Sequence, residues 1–313
     1  MKKNTILIIT GPTASGKTKL GIDCANLFNG EIVSADSMQI YKELNIGTAK
    51  PDKKELSMAK HHLIDVVKPN EEFSVQQFVS YADKIIEDLF NKNKLPIIVG
   101  GTGLYIRSLI YPYSFCKAPK NEEIRKKYNN LLKLKGREYI YSLLQEKDPV
   151  ACEKIHMNDT KRVIRALEIC KITGTSKTEM NSEELNPKYN YIFIALNMPR
   201  EQLYERINQR VEIMFNQGLL GEIEDLKEQN KINKENQSMQ AIGYKEFFDY
   251  FDGNISIDEV KELIAKNSRN YAKRQITFIK GFKNVNWFNP LTEYDKIITF
   301  IKQELETNDK NWW

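Results

Sequence analysis

Gly11-Pro12-Thr13-Ala14-Ser15-Gly16-Lys17-Thr18 sets two glycines, a lysine and a hydroxyl at the spacing G-x-x-x-x-G-K-T, the pattern of a loop that cradles phosphate. The flanks support it. Ile6–Ile9 is a short apolar run suited to a buried strand, and Lys17–Phe28 puts Leu20, Cys24, Leu27 and Phe28 on one helical face. A loop between a strand and a helix N-terminus offers backbone N–H groups and the positive end of the helix dipole to an anion. Gly11, Thr13, Ala14, Ser15 and Gly16 form the cradle, Lys17 reaches the outer phosphates and the Thr18 hydroxyl holds Mg²⁺. The motif specifies a diphosphate or triphosphate without specifying ATP.

Two further groups stand where strands end. Glu31–Ser34 reads as a strand running into Asp36-Ser37-Met38-Gln39, and Leu95–Val99 as one running into Gly100-Gly101-Thr102-Gly103. Ligands of parallel sheets bind beyond the carboxyl ends of the strands. Asp36 reads there as Mg²⁺ ligand or general base, or as the N-cap of the following turn. Thr102 presents a hydroxyl on a glycine turn that lets backbone approach a ligand closely. On a helix over Arg200–Phe215, Arg206 and Arg210 lie one turn apart, with Arg210 bordering the apolar face, as a phosphate ligand or a salt-bridged surface residue. The paired His61 and His62 lack partners for zinc, since the one other histidine is the distant His156, and are read as polar structural contacts.

The elements that position these groups follow from hydrophobic periodicity. Besides the strands above, Tyr191–Leu196 reads as a strand; Phe73–Phe90, Leu104–Leu109, Lys261–Lys280 and the tail from Leu291 to Trp313 read as helices. Between about Tyr111 and Lys188 strand-like runs stop, and helices are expected over Asn121–Lys135, Arg137–Gln145, Pro149–Ile155 and Asp159–Ile172. The expected fold is α/β: a parallel-sheet core with the phosphate loop of nucleotide kinases, residues 1–113 and 190–313, carrying an all-helical insertion over 114–189. The chain has 313 residues, 41% apolar and 28% charged, and no apolar run of membrane-spanning length, so a cytoplasmic protein without membrane contact is expected. Cys24, Cys116, Cys152 and Cys170 lie far apart and read as reduced packing thiols. Net charge is +5, but Lys117–Arg137 and Lys261–Lys283 each carry +6, so the remainder is acidic. Basic and aromatic residues interleave over Asn270–Phe278, a pattern of polyanion-binding surfaces; solvated helix faces are the alternative.

Taken in order, these stretches resemble the tRNA dimethylallyltransferases, the IPP transferase family of tRNA prenyltransferases. The resemblance rests on Gly11–Thr18, Asp36–Gln39 with Tyr41, Gly47-Thr48-Ala49-Lys50-Pro51, His61–Asp65, Gly100-Gly101-Thr102 with Tyr105, Lys161–Glu168, Arg210 with Gly218-Leu219, Gly243-Tyr244 and Lys273–Lys280. It spans nearly the whole chain. The phosphate loop alone is generic; Asp-Ser-Met-Gln, Gly-Gly-Thr and Ala-Lys-Arg-Gln in this order are specific. Paired cysteines and histidines like those of the zinc-finger tail of eukaryotic members do not follow the last motif, so the bacterial type is the nearer resemblance. Gln240 stands where some members have a basic residue.

The resemblance implies transfer of a dimethylallyl group from dimethylallyl diphosphate to N6 of adenosine 37 of tRNA, next to the anticodon, with Mg²⁺ and a monomeric enzyme. Gly11, Thr13–Thr18 and Arg210 would hold the diphosphate, with Asp36 as base and Thr102 positioning the amine or the diphosphate. The implied tRNA contacts are Asp36, Ser37, Met38, Gln39, Thr102, Arg125, Lys161, Arg162, Arg165, Gly243, Tyr244, Lys245, Lys273, Arg274, Gln275 and Lys280. The alternative is an ATP-dependent kinase of a nucleotide or small molecule, which accounts for the loop and Asp36 but leaves both basic stretches and the insertion unused. A nucleotide-switched RNA-binding regulator leaves Asp36 and Thr102 unused.

Overall fold

Runs of β-branched and leucine side chains, too short for helices and buried on both faces, make the centre of the molecule. In the computed structural model, which describes residues 5–111, 120–174, 186–229 and 231–310, they form a six-stranded sheet. The strands are β1 (Thr5–Thr10), β2 (Gly30–Ser34), β3 (His61–His62), β4 (Leu95–Val99), β5 (Asn190–Leu196) and β6 (Asn286–Phe288), in the spatial order β3-β2-β4-β1-β5-β6 and all parallel. Every residue of β1 and β4 is buried, as a parallel sheet covered on both faces requires.

The helices are α1 (Lys17–Leu27), α2 (Lys53–Met58), α3 (Val75–Asn91), α4 (Gly103–Ile110), α5 (Glu122–Lys147), α6 (Pro149–Lys154), α7 (Thr160–Thr173), α8 (Arg200–Asn216), α9 (Leu219–Glu228), α10 (Phe247–Phe251), α11 (Ile257–Ile279) and α12 (Tyr294–Lys310). Side chains of α1 and α12, among them Leu20, Ile22, Ile297 and Ile301, pack with Leu7, Ile9, Ile32, Ile97 and Ile194 on one face of the sheet. Strand alternation turns Ile6 and Ile8 to the other face, the side of α3 and α4, whose Phe78 and Tyr105 rings stack 4.1 Å apart. Because the sheet is parallel, the turns after β1, β2 and β4 all emerge at one edge, and with them the phosphate loop, Asp36 and Thr102.

The short edge strands β3 and β6 had no periodic signal. β3 contains the histidine pair. His62 Nε2 lies 2.7 Å from a carboxylate oxygen of buried Glu31, which also takes Lys94 at 2.5 Å and Lys60 at 3.3 Å. Burial pushes the Glu31 carboxyl up, but the bonds from Lys94, His62 and Lys60 outweigh it and hold it near 2. Among the described residues no cluster of histidine, cysteine and carboxylate side chains is suited to a metal ion, and no helix is long and apolar enough to cross a membrane. Cys24, Cys152 and Cys170 are free thiols; Cys116, Trp312 and Trp313 lie outside the described residues.

The chain divides into two compact units, residues 1–110 with 187–313, and residues 111–186. The second unit is helical. Its α5 is interrupted at Gly136, φ 80° and ψ 176°, where the sequence pattern predicts two helices. Its core joins Tyr128, Ile140, Leu144, Val163, Ile164 and Leu167. Into this core α7 inserts a charge, Glu168. The carboxylate accepts the Asn121 N–H at 2.7 Å, Arg125 Nε at 3.0 Å and Arg165 at 2.5 Å. Burial raises the Glu168 carboxyl, and the N–H of Asn121, Arg165 and Arg125 more than reverse this. Its folded value therefore lies below its unfolded one, so its stabilisation is complete above about pH 4.5 and disappears as pH falls through the folded value. Glu168→Ala is expected to cost about 3 kcal/mol, the low end for breaking a buried pair, since both arginines keep some solvent contact. Denaturant unfolding of the full chain checks this; the gap between wild type and variant should narrow as pH falls below about 4.5.

Candidate active site

The loop between β1 and α1 needs conformations that most residues avoid. Gly16 is left-handed at φ 89°, and Ala14 is held left-handed at φ 64°. No side chain caps α1, so its first-turn N–H groups are available to a ligand. Other elements fix the loop from outside. Gln275 of α11 accepts the Thr13 N–H at 2.9 Å and donates to the Gly101 carbonyl at 3.0 Å, stitching the two glycine turns together. Gly101 must be glycine for this, since a Cβ there would lie 2.1 Å from Gln275 Nε2. From α8, Arg206 donates to the Ala14 carbonyl at 2.9 Å and Arg210 to the Thr13 hydroxyl at 3.2 Å.

Lys17 and Arg210 stand half-buried beside this loop. Burial first, and then the Arg210 charge, lower the Lys17 ammonium to about 7, with Asp36 opposing in part. Burial also lowers Arg210, opposed by Asp36 and Glu55. Lys17 fills its donor capacity partly with the Pro12 carbonyl at 2.7 Å, and the Ser15 hydroxyl is buried with no partner. Two poorly solvated cations, an unbonded hydroxyl and uncapped N–H groups describe an anion site.

Asp36 and Thr102 stand beside it. Asp36 Oδ1 accepts the N–H groups of Met38 at 2.9 Å and Gln39 at 3.4 Å, so Asp36 does cap the turn after β2. Among the described residues Oδ2 takes no hydrogen bond. The Thr102 hydroxyl accepts the Ser37 N–H at 3.0 Å, and the Thr102 N–H donates to the Ala35 carbonyl at 3.2 Å, locking the β2 and β4 turns together. Tyr271 of α11 lies near Thr102 and Gln275, and burial, with the nearby Asp36 charge, pushes its hydroxyl up to about 12.

Thr13, Asp36, Arg210 and Tyr271 border a cavity of about 270 Å³. Thr13, Asp36 and Arg210 make its polar end, and Ile207, Val211 and Met214 of α8 with Ile264 of α11 make its apolar walls. Ser37, Met38, Lys245 and Arg274 also line it. Tyr271 escaped sequence reasoning, although Ile264, Ser268 and Tyr271 recur at i, i+4 and i+7 on α11 and all face the cavity.

Other expected contacts are placed differently. Gln39 braces the following loop through the Ala49 carbonyl at 3.2 Å, and Gln275 is buried in its stitch. Tyr244 is fully buried behind the cavity wall, next to Gly243. Lys273, Arg274 and Lys280 are exposed on or at the end of α11. In the helical unit Lys161 is exposed, Arg162 pairs with Asp159 at 2.5 Å, and Arg125 and Arg165 share Glu168.

Comparison with known proteins agrees with this arrangement. Residues 39–282 match the family model described as IPP transferase. A tRNA dimethylallyltransferase of Acetivibrio thermocellus is 49% identical over 97% of this chain and 98% of its own, and one of Thermoanaerobacter pseudethanolicus is 48% identical over 90% and 91%. Among solved structures, a full-length tRNA isopentenylpyrophosphate transferase of Bacillus halodurans is similar at 39% identity and TM-score 0.74, covering 99% of both chains. A eukaryotic dimethylallyltransferase acting on tRNA is similar at 31% identity and TM-score 0.83, covering 97% of this chain and 80% of its own. With a family model over most of the chain and relatives near one-half identity along almost its whole length, this protein belongs to the IPP transferase family.

Proposed function

We propose that this protein transfers a dimethylallyl group from dimethylallyl diphosphate to N6 of adenosine 37 in tRNA, releasing diphosphate. The observation that carries the reading is the cavity with Arg210 and Thr13 of the phosphate loop at one end, apolar helix faces along its sides, and Asp36 beside them. A diphosphate suits the first, a five-carbon apolar tail the second, and an amine losing a proton the third. A kinase would use the loop but has no need of the apolar walls of Ile207, Val211 and Met214 beside Arg210.

As the carbon–oxygen bond breaks, negative charge grows on the leaving oxygens. The loop N–H groups, Lys17 and Arg210 oppose it with no reorganisation, in surroundings poor in water. An exocyclic adenine amine is weakly nucleophilic and becomes acidic as the new carbon–nitrogen bond forms. Asp36 Oδ2 takes that proton, while Oδ1 keeps the carboxylate oriented through Met38 and Gln39. Thr102, held by Ser37, fixes the height of the amine or the diphosphate. The adenine leaves its stack to enter. Mg²⁺ would be held by the Thr18 hydroxyl and the diphosphate oxygens, hard oxygen donors of the kind this ion takes. When bound it supplies further neutralisation of the leaving charge.

Lys273, Arg274 and Lys280, exposed at α11, and the basic residues of the helical unit are the phosphate contacts for the RNA. The protein acts in the cytoplasm as a monomer.

The reading is tested by incubating the protein with unmodified tRNA, Mg²⁺ and labelled dimethylallyl diphosphate and counting label in RNA. ATP hydrolysis with no label in RNA would favour the kinase. Asp36→Ala is expected to lose at least about a hundredfold in single-turnover transfer while keeping tRNA affinity; near-normal transfer removes Asp36 from the chemistry. Lys273→Ala should weaken tRNA binding and flatten the plot of log K against log salt by about one unit. An unchanged slope in filter-binding titrations would exclude a phosphate contact.

A further inference from the structure

Glu222, in the first turn of α9, does not belong to the machinery described so far. Its carboxylate accepts the backbone N–H groups of Asn45 at 3.0 Å, Ile46 at 2.9 Å and Gly47 at 3.3 Å, and the Tyr244 hydroxyl at 2.6 Å. Consecutive N–H groups turned to one side form a concave anion site; here the anion is the protein's own side chain. Burial, then the charge of Glu222, drive the Tyr244 hydroxyl well above its ordinary value, so it remains a donor. The Tyr244 ring lies on Gly47 so closely that a Cβ there would stand 2.5 Å from the ring. Three segments far apart in sequence therefore close on one carboxylate.

Two of these segments are cavity wall. Gly47 and Thr48 line the cavity from one side of the seam, and Ala241, Ile242 and Lys245 from the other. Glu222 and Tyr244 are the latch that joins them. Remove the carboxylate and three backbone N–H groups are left without an acceptor beside the cavity. Groups in that state recruit water.

Water at this wall matters for the reaction proposed above. An activated allylic carbon accepts any nucleophile. If a water oxygen bonds to that carbon, its bond to the diphosphate oxygen breaks, the electron pair leaves with diphosphate, and the extra proton goes to solvent. The products are prenyl alcohol and diphosphate, and the donor is lost. We infer that Glu222, through Tyr244 and the loop at Gly47, is a positioning residue that seals the cavity, so that the acceptor amine and not water meets the prenyl carbon. This rests on the proposed transfer reaction.

The test is a partition ratio. The full-length protein is incubated with unmodified tRNA, Mg²⁺ and dimethylallyl diphosphate labelled in the prenyl group, and labelled prenyl alcohol and labelled RNA are counted in the same tube. The ratio of alcohol to prenylated RNA does not depend on how much protein is folded. A purely structural role would lower both products and leave it unchanged. Glu222→Ala and Gly47→Ala should raise it about tenfold or more, the scale of losing hydrogen bonds to a charged group. Glu222→Gln, which keeps one acceptor oxygen, should fall between. Tyr244→Phe keeps the ring on Gly47 and should raise the ratio severalfold, and it decides the matter if the other variants do not fold. A wild-type ratio in folded Glu222→Ala, or in Tyr244→Phe where it alone folds, overturns the latch and leaves the transfer reaction standing. No label in RNA with the wild-type protein overturns the transfer reaction and the latch with it.

Discussion

Everything near the cavity answers to one constraint: Lys17 and Arg210 are two poorly solvated cations held beside one loop, with Asp36 as the carboxylate whose field both of them feel. Like charges out of water repel and lose hydration, and Lys17 responds by giving up its proton readily, near pH 7. Such a pair persists only where surrounding structure holds it. The holding is visible on every side. Gln275 ties the loop to the Gly101 turn, Arg206 takes the Ala14 carbonyl, and α8 carries Arg210 on a helix whose Leu203, Ile207, Val211 and Met214 are buried. The parallel sheet beneath explains why these parts meet. Its turns all leave at one edge, so the loop, Asp36 and Thr102 converge without any long excursion of chain.

Asp36 resolves an ambiguity that its sequence context left open. A carboxylate after a strand is read equally as an N-cap or as a functional group. Here one oxygen does the first job, accepting from Met38 and Gln39, and the same bonds hold the other at a fixed angle. In the proposed reaction capping and catalysis would not compete at this position, since the cap would orient the base. Thr102 repeats the logic, since its hydroxyl accepts the Ser37 N–H and thereby ties its own turn to that of Asp36.

What was legible followed from period and spacing. The phosphate loop, β1, β4 and β5, the amphipathic α3 and α8, and the break at Gly136 each leave a local mark. The edge strands β3 and β6 are two and three residues long, below the length at which alternation is a signal, and they exist because β2 and β5 offer them unpaired backbone. Charge was the less readable property. Arg125 belongs to the basic stretch Lys117–Arg137, but Glu168, buried on α7, takes it together with Arg165. Tyr244 and Gln275 belong to motifs that read as RNA contacts, and both are buried, one against Glu222 and the other between two glycine turns. Composition counts cations and aromatics. It does not reveal which of them already have partners, because those partners lie many residues away.

The same dryness that disturbs Lys17 gives the site its power. In water two cations and a carboxylate at these positions would be screened, and a diphosphate would gain little from them. Between the apolar faces of α8 and α11 their fields are stronger, and an anion entering the loop relieves a repulsion as well as gaining an attraction. Those faces serve a second end, because a prenyl group fits where water does not. For the proposed donor, affinity for the diphosphate, room for the tail and protection of the reacting carbon would thus draw on one feature, the apolar walls of a cavity of about 270 Å³. Any defect that wets the cavity would weaken all three together, which is why a carboxylate such as Glu222, remote from the phosphate loop in sequence, has consequences at the reacting centre.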